Sequence, residues 1–357
     1  MKINKIAVLE GDGIGPEVMK EALNVLDIIS KKNNINFDCN KGLVGAAAIE
    51  VEGHPFPEST KNLCNNSDAI LFGAIGDPKY DNNPKAKMRP EDGLLEMRKF
   101  LGLYANVRPV ITYDSLLDSS PLKKEIVKGT NFVVYRELTG GIYFGEKYIS
   151  KDRKSAYDTC SYSFKEIERI SHLAFKEARK RKKELTLVDK ANVLETSRLW
   201  REVVQKISND YPDIKVSYLF VDNAAMKIIT NPKDFDVILT ENMFGDIITD
   251  EASVITGSLG MLPSASIGDK ISLFEPIHGS YPQAVGKGIA NPMAMILSLG
   301  MMLDMSFNLK KESEIILKSI EDALKENIVT IDINSKKYYS TSEVGDWLSK
   351  RVSDYLS

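Results

Sequence analysis

The sequence predicts an α/β fold in two domains with a mixed sheet, on three observations. Short apolar, β-branched runs alternate with amphipathic stretches, the pattern of strands layered with helices. The chain has 357 residues, more than one typical domain and enough to bury a large core. In the stretch Asn131 to Ile149, Gly140-Gly141 interrupts an extended pattern flanked by charge, which suggests antiparallel pairing and hence a mixed sheet.

The elements follow in order. Ile6-Ala7-Val8-Leu9 reads as the first strand. Pro16 then stands where a helix begins, and Val18, Ala22, Val25, Leu26 and Ile29 recur at helical spacing up to Lys31. Further strands are predicted at Ala69–Phe72, Phe132–Tyr135, Leu185–Val188 and Val237–Leu239. The most apolar stretch, Met293 to Met305, is broken by Ser298, Gly300 and Asp304, short of the ~18–20 residues of a membrane span. No tandem repeat or low-complexity linker is present, and domain boundaries are expected near residues 104 and 256.

Composition narrows the function classes. Hydrophobic residues make up 43% and charged residues 27%, so the chain should fold rather than remain disordered. Lys and Arg number 47 against 50 Asp and Glu, a formal charge of -3, which gives no general reason to bind nucleic acid or an anionic membrane. Cys39, Cys64 and Cys160 are widely spaced without a Cys-x-x-Cys pair, as expected in a reducing compartment. Met1 to Leu9 is too short in apolar length for a signal peptide and runs into Glu10 and Asp12. A cytoplasmic protein is expected.

Gly11-Asp12-Gly13-Ile14-Gly15-Pro16 follows the first strand and invites a dinucleotide reading. The third glycine of Gly-x-Gly-x-x-Gly would fall on Pro16, so the fingerprint fails. A tight strand-to-helix turn with no ligand explains the glycines equally well.

Candidate chemistry lies elsewhere. In a helix, Asp246 and Asp250 share one face with Cβ atoms about 5–6 Å apart. A divalent cation would relieve their repulsion, with Asp222 as a possible third oxygen donor; a solvated acidic helix start is the alternative. Glu91, Leu94, Leu95 and Arg98 are spaced i, i+3, i+4 and i+7, which an ordinary amphipathic helix also produces. Arg108 before Pro109 and Arg136 at the end of an apolar run would need anionic partners if buried. Three arginines suit a small dicarboxylate, since each planar fork can grip a carboxylate. Lys190, just after a strand, could be a general base beside a cation, and Tyr143 a general acid. A surface ion pair and a packed hydroxyl are the alternatives for these two.

Taken together, these segments resemble the β-decarboxylating dehydrogenases of the isocitrate and isopropylmalate family over nearly the whole chain. The motifs that carry the resemblance are Gly11–Glu17, Asn106-Val107-Arg108-Pro109, Arg136–Gly145, Asp189–Val193, Asn242–Asp250, Gly257–Ala265 and Glu275–Ser280. The resemblance implies a two-domain α/β fold with a mixed sheet that is not a Rossmann fold. Residues 1–103 and 257–357 would form the cofactor-binding domain, and 104–256 the domain of dimerisation, substrate and metal residues. It implies a homodimer in which Lys190 and Asp222 enter the neighbouring subunit's site.

The implied reaction is NAD-dependent oxidative decarboxylation of a substituted malate. Arg98, Arg108 and Arg136 would bind its carboxylates. Asp246, Asp250 and the neighbour's Asp222 would hold Mg²⁺ or Mn²⁺ against the substrate. Lys190 would accept the hydroxyl proton and Tyr143 would help protonate C3. Glu91, His278, Gly279, Ser280, Gln283, Gly288 and Asn291 would bind the cofactor.

Leu94 and Leu95, with Val193 nearby, would face the substituent that distinguishes substrates. Burying an isopropyl group there is worth about 1.5–3 kcal/mol, whereas an unpaired carboxylate is strongly disfavoured. That favours 3-isopropylmalate, with 2-oxoisocaproate as product in leucine biosynthesis, over isocitrate. At Gln283 the sequence departs from the family, where NAD users carry aspartate and NADP users a lysine followed by a tyrosine. Gln283 and Ala284 offer no cation for a 2′-phosphate, and Glu343 also argues against one, so NAD is favoured. Activity on D-malate, tartrate or homoisocitrate stays open, as does a silent regulatory subunit, although the retained Lys190, Tyr143, Asp222, Asp246 and Asp250 argue against the latter.

Overall fold

The computed structural model describes residues 3–81 and 87–357. The chain divides into two compact units, one built from residues 1–103 and 258–357 and the other from residues 104–257. It starts in the first unit with β1 (Ile3–Gly11), α1 (Gly15–Asn33), β2 (Asn36–Lys41), α2 (Ala46–Glu52), α3 (Glu58–Asn65), β3 (Ala69–Ala74), α4 (Pro78–Asp81) and α5 (Pro90–Phe100). The second unit follows with β4 (Ala105–Ile111), α6 (Lys124–Val127), β5 (Asn131–Glu137), β6 (Lys147–Ile149), β7 (Ala156–Asp158), α7 (Phe164–Lys180), β8 (Glu184–Asp189), α8 (Glu195–Ser208), β9 (Lys215–Phe220), α9 (Val221–Thr230), β10 (Val237–Thr240) and α10 (Asn242–Ser253). β11 (Pro263–Ile267), β12 (Ser272–Pro276), α11 (Met293–Phe307), α12 (Lys310–Lys325) and α13 (Thr341–Tyr355) return to the first.

Both units contain mixed pairing. In the first the strand order is β2-β1-β3-β12-β11, parallel except for β11 against β12. In the second it is β4-β5-β10-β8-β9, parallel except for β4 against β5. Neither follows the 3-2-1-4-5-6 order of a dinucleotide-binding sheet. The antiparallel character expected around Gly140-Gly141 is present, but the strands flanking the glycines do not pair with each other. β5 takes β4 as its antiparallel partner and β6 takes β7.

Each unit has its own core. Leu9, Phe56, Ile70, Phe72 and Met97 are fully or almost fully buried together in the first, and Phe132, Val134, Val188, Ile238 and Ile248 in the second. The predicted first helix begins at Gly15 with Pro16 in its first turn and ends on Asn34 in the left-handed region, a backbone state that Asn tolerates. α11 buries residues on every side, as expected of a core helix, and the hydroxyl of Ser298 is satisfied by the carbonyl of Ala294. Among the described residues, no helix is long and apolar enough to cross a membrane.

The glycine loop after β1 is a packing device. Asp12 is buried and accepts hydrogen bonds from the backbone N–H groups of Ala46, Ala47 and Gly76. Gly13 has φ of +59°, and a Cβ there would lie 2.0 Å from the carbonyl oxygen of Ser280. Gly13→Ala should therefore destabilise the chain by about 2 kcal/mol or more, through a positive φ and a backbone clash together. Chemical denaturation checks this, and an unchanged midpoint would contradict the close approach.

Candidate active site

α10 carries the two carboxylates that the sequence placed on one helix face. Neither lies in the first turn, so attraction to the positive helix end does not explain them. Each faces an arginine. Arg136, at the end of β5 and only 3% exposed, forms an ion pair with Asp246. Asn242 grips the same guanidinium, its Oδ1 accepting from Nε at 3.1 Å and Nη2 at 2.9 Å. Arg108, on β4, donates to Asp250 at 3.2 Å, to the Thr249 hydroxyl at 2.6 Å and to Asn106 at 2.7 Å. The anionic partners that buried arginines require are thus the carboxylates expected to hold a cation.

Tyr143 joins this cluster. It follows the Gly140-Gly141 turn, and its hydroxyl donates to Asp246 Oδ2 at 2.7 Å. Burial, reinforced by the Asp246 carboxylate, pushes the phenol above its usual range. The group is therefore protonated at neutral pH, as a proton donor must be.

Lys190 immediately follows β8, and Asp222 lies in the first turn of α9. Lys190 Nζ donates to Asp222 Oδ1 at 2.5 Å, and the ammonium holds the carboxyl below its usual range. Val193 is 62% exposed in the loop after Lys190. Among the described residues, no group of three His, Cys, Asp or Glu side chains could hold a metal ion. One chain therefore does not bring Asp222 to Asp246 and Asp250. Asp246 and Asp250 fit a hard divalent cation in donor chemistry, yet two carboxylates leave the set incomplete.

Glu241, directly before α10, is buried, and desolvation pushes its carboxyl from 4.5 to about 7, with Asp189 adding to the shift and the Ser197 hydroxyl opposing it. Between these two values the native state holds a proton that the unfolded chain has released. Stability from this group is full below pH 4.5 and falls as pH rises towards 7, by about 3 kcal/mol at most. Glu241→Gln removes the titration, so its melting temperature should fall less steeply than that of the native chain from pH 5 to pH 7.5. Parallel slopes would contradict the assignment.

In the first unit, α5 carries Glu91, Leu94, Leu95 and Arg98 as predicted. Leu94 leans partly into the core and Leu95 is exposed. Arg98 donates to Glu275 at 3.4 Å, while its Nε and Glu91 Oε2 are buried with no partner among the described residues. Such orphaned atoms are what an incoming polar ligand satisfies.

A cavity of about 760 Å³ lies in the same unit, with apolar walls including Ile14, Leu259 and Ile331, and with His278, Gly279, Asn291 and Asp332 among its lining residues. Its size suits a nucleotide portion. Burial pushes His278 below its usual range, and its Nε2 has no partner among the described residues. Asn291 is already engaged, donating to Asp332 and capping α11 by accepting from the Met293 N–H. Ser280 is buried in the adjoining loop, its carbonyl accepting from Ile14 N–H. Gln283 is exposed in the turn beyond, and Gly288 accepts from Thr341 N–H through its carbonyl. Glu343 serves as a helix cap, accepting from Ser340 at the start of α13.

The isocitrate/isopropylmalate dehydrogenase family matches residues 5–348. The chain belongs to this family. A 3-isopropylmalate dehydrogenase of Bacteroides fragilis is 53% identical over 346 residues, covering 96% of this chain and 97% of the relative. One of Aquifex aeolicus is 53% identical over 339 residues, covering 94% and 93%. Among solved structures, an isocitrate dehydrogenase from Methylococcus capsulatus superimposes with a TM-score of 0.87 at 32% identity, covering 98% of this chain and 99% of that one. The family fold expected from the motifs is therefore the fold of this chain.

Sequence reasoning missed three groups. Asp332 lines the cavity and accepts from Ser258, Asn291 and Thr330; a lone aspartate between two isoleucines carries no spacing signal. Asn242, which holds Arg136, opens a recognised motif and Glu241 directly precedes it, but their contacts form only through the fold.

Proposed function

We propose that this chain catalyses the oxidative decarboxylation of 3-isopropylmalate to 2-oxoisocaproate and CO₂ in leucine biosynthesis, with NAD as hydride acceptor and Mg²⁺ or Mn²⁺ as the cation. The observation that carries this reading is the array on α10, two carboxylates each faced by an arginine, with a tyrosine hydroxyl donating to Asp246. Two curated relatives named 3-isopropylmalate dehydrogenase, each 53% identical over most of the chain, support the substrate.

Each residue then has a task. Arg98, Arg108 and Arg136 bind the substrate carboxylates, the forks of Arg108 and Arg136 already oriented by Asn106, Thr249 and Asn242. Lys190 of a second copy accepts the C2 hydroxyl proton as hydride leaves C2. The resulting 2-oxo acid loses the C3 carboxylate as CO₂, and Tyr143 delivers the proton that C3 then needs. Asp246, Asp250 and Asp222 of a second copy would hold the cation. A bound cation would supply a fixed positive charge to stabilise developing negative charge, and a bound nicotinamide would supply the hydride acceptor. Leu94, Leu95 and Val193 accommodate the isopropyl group.

For NAD, the cavity walls and His278, Gly279, Ser280, Gly288 and Asn291 accommodate the adenosine half, with Gln283 offering a neutral amide to ribose hydroxyls. Glu91, with its orphaned oxygen, faces the nicotinamide. Exposed apolar side chains in the second unit, Met226 and Ile229 on α9, Ile247 on α10 and Tyr148 and Ile149 on β6, support pairing with a second copy.

Steady-state kinetics with 3-isopropylmalate, isocitrate and D-malate test the assignment. kcat/KM should favour 3-isopropylmalate over D-malate by about 10-fold or more, the value of an apolar side group in an apolar pocket. Equal values would defeat the role given to Leu94 and Leu95.

A further inference from the structure

Lys190 projects from a short loop whose backbone is unusually well tied. Its carbonyl accepts from the N–H groups of Val193 and Leu194, both at 2.9 Å. The next N–H, that of Ala191, donates to Asp189 at 2.9 Å. Asp189 has no exposed side-chain surface and is clamped by Arg201, from Nε at 2.6 Å and from Nη2 at 3.1 Å. The Arg201 guanidinium in turn lies 5.0 Å from the ring of Phe220.

The N–H of Lys190 itself is held differently. It donates at 3.0 Å to the hydroxyl of Ser197, in the first turn of α8, and that hydroxyl donates to Glu241 Oε1. A backbone N–H can only donate, so the hydroxyl accepts from Lys190 and keeps its own proton for the Glu241 carboxylate. Ser197 is fully buried and Glu241 is 3% exposed. Glu241 is also the residue from which α10 starts. One buried hydroxyl thus joins the loop carrying the base to the helix carrying Asp246 and Asp250.

We propose that Ser197 and Glu241 are a positioning pair for Lys190, fixing the backbone from which its amine projects towards the site of a second copy. This rests on the reading of Lys190 as the base. A buried carboxylate costs desolvation that an apolar side chain would avoid, so packing alone gives no reason for Glu241. Fixing a reacting group does, because small misplacements are costly in rate.

The test uses the full-length chain with Ser197→Ala, Glu241→Ala and Glu241→Gln. Gln keeps an oxygen that accepts from Ser197, whereas Ala does not. Ser197→Ala and Glu241→Ala should each lower kcat about tenfold with both KM values within about twofold, Glu241→Gln should lose less than about threefold, and the double alanine variant should be no worse than either single one. Acetylation of Lys190 by acetic anhydride, followed by peptide mass spectrometry, gives a readout that needs no turnover. Its rate should change more than about threefold in both alanine variants while exposed Lys165 reacts as before.

A Lys190 labelling rate and kcat that match the unmodified chain would overturn the proposal, as would equal losses in Glu241→Gln and Glu241→Ala. If Ser197→Ala fails to fold, the comparison of the two Glu241 variants decides. A chain that does not oxidise 3-isopropylmalate, yet shows the labelling shift, refutes the functional reading and leaves the positioning pair standing. Turnover without the shift refutes only the pair.

Discussion

Lys190→Ala is expected to lower kcat by about 10²–10⁴, the range for loss of a positioned general base, while KM for 3-isopropylmalate and for NAD changes little. With the substrate carboxylates assigned to the arginines, binding should survive; what should disappear is the acceptor for the C2 hydroxyl proton. Folding should survive as well, because the loop is held through its backbone by Ser197, Val193 and Leu194 rather than through the amine. The amine itself contacts Asp222, which is largely exposed. Added methylamine should restore part of the lost turnover by occupying the vacated space. A variant with unchanged kcat, or one whose defect lies wholly in KM, would remove Lys190 from the chemistry.

Asp246→Asn should raise the Mg²⁺ or Mn²⁺ concentration needed for half-maximal activity by about tenfold or more, equivalent to about 1.4 kcal/mol of cation binding. A neutral amide oxygen is a poorer ligand for a hard cation than a carboxylate. The substitution also removes the Asp246 charge from beside the nearly buried guanidinium of Arg136, although Asn242 still holds two of its N–H groups. A modest loss of thermal stability should accompany the metal effect, smaller than for a fully buried pair because Asp246 is partly exposed. Tyr143 keeps an acceptor in the amide oxygen, so its hydroxyl stays in place. A metal titration that overlays that of the unmodified chain would rule out coordination by Asp246.

The fold was legible wherever one face of an element is apolar. The runs at Ile6, Ala69, Phe132, Leu185 and Val237 all became strands, and the helical spacings after Pro16 and across Glu91 to Arg98 became α1 and α5. β2 was not legible, because Asn36–Lys41 is a polar edge strand with mostly exposed side chains. β11 was hidden for a different reason: Pro263-Ser264-Ala265-Ser266-Ile267 is buried yet small and polar in sequence, and only its partner β12 makes it a strand. Strand order was beyond reach, since it joins segments such as β3 and β12 that are nearly two hundred residues apart.

The candidate site divides in the same way. Asp246 and Asp250 could be placed on one face because helical periodicity is local, and Arg136 stood out as a charge ending an apolar run. Their pairing with each other could not be read, because it depends on α10 packing against β5 and β4. The same holds for Ser197, an ordinary helix-start serine in sequence, whose role is visible only once Lys190 N–H and Glu241 lie on either side of its hydroxyl.

The most direct measurement follows NADH and CO₂ together, from 3-isopropylmalate and NAD with Mg²⁺ or Mn²⁺ present and then with a chelator. The account predicts one NADH per CO₂, loss of both on chelation, recovery of both when metal is returned, and much weaker turnover with NADP. Formation of NADH without CO₂, or undiminished turnover in chelator, would contradict a cation-assisted oxidative decarboxylation at these residues.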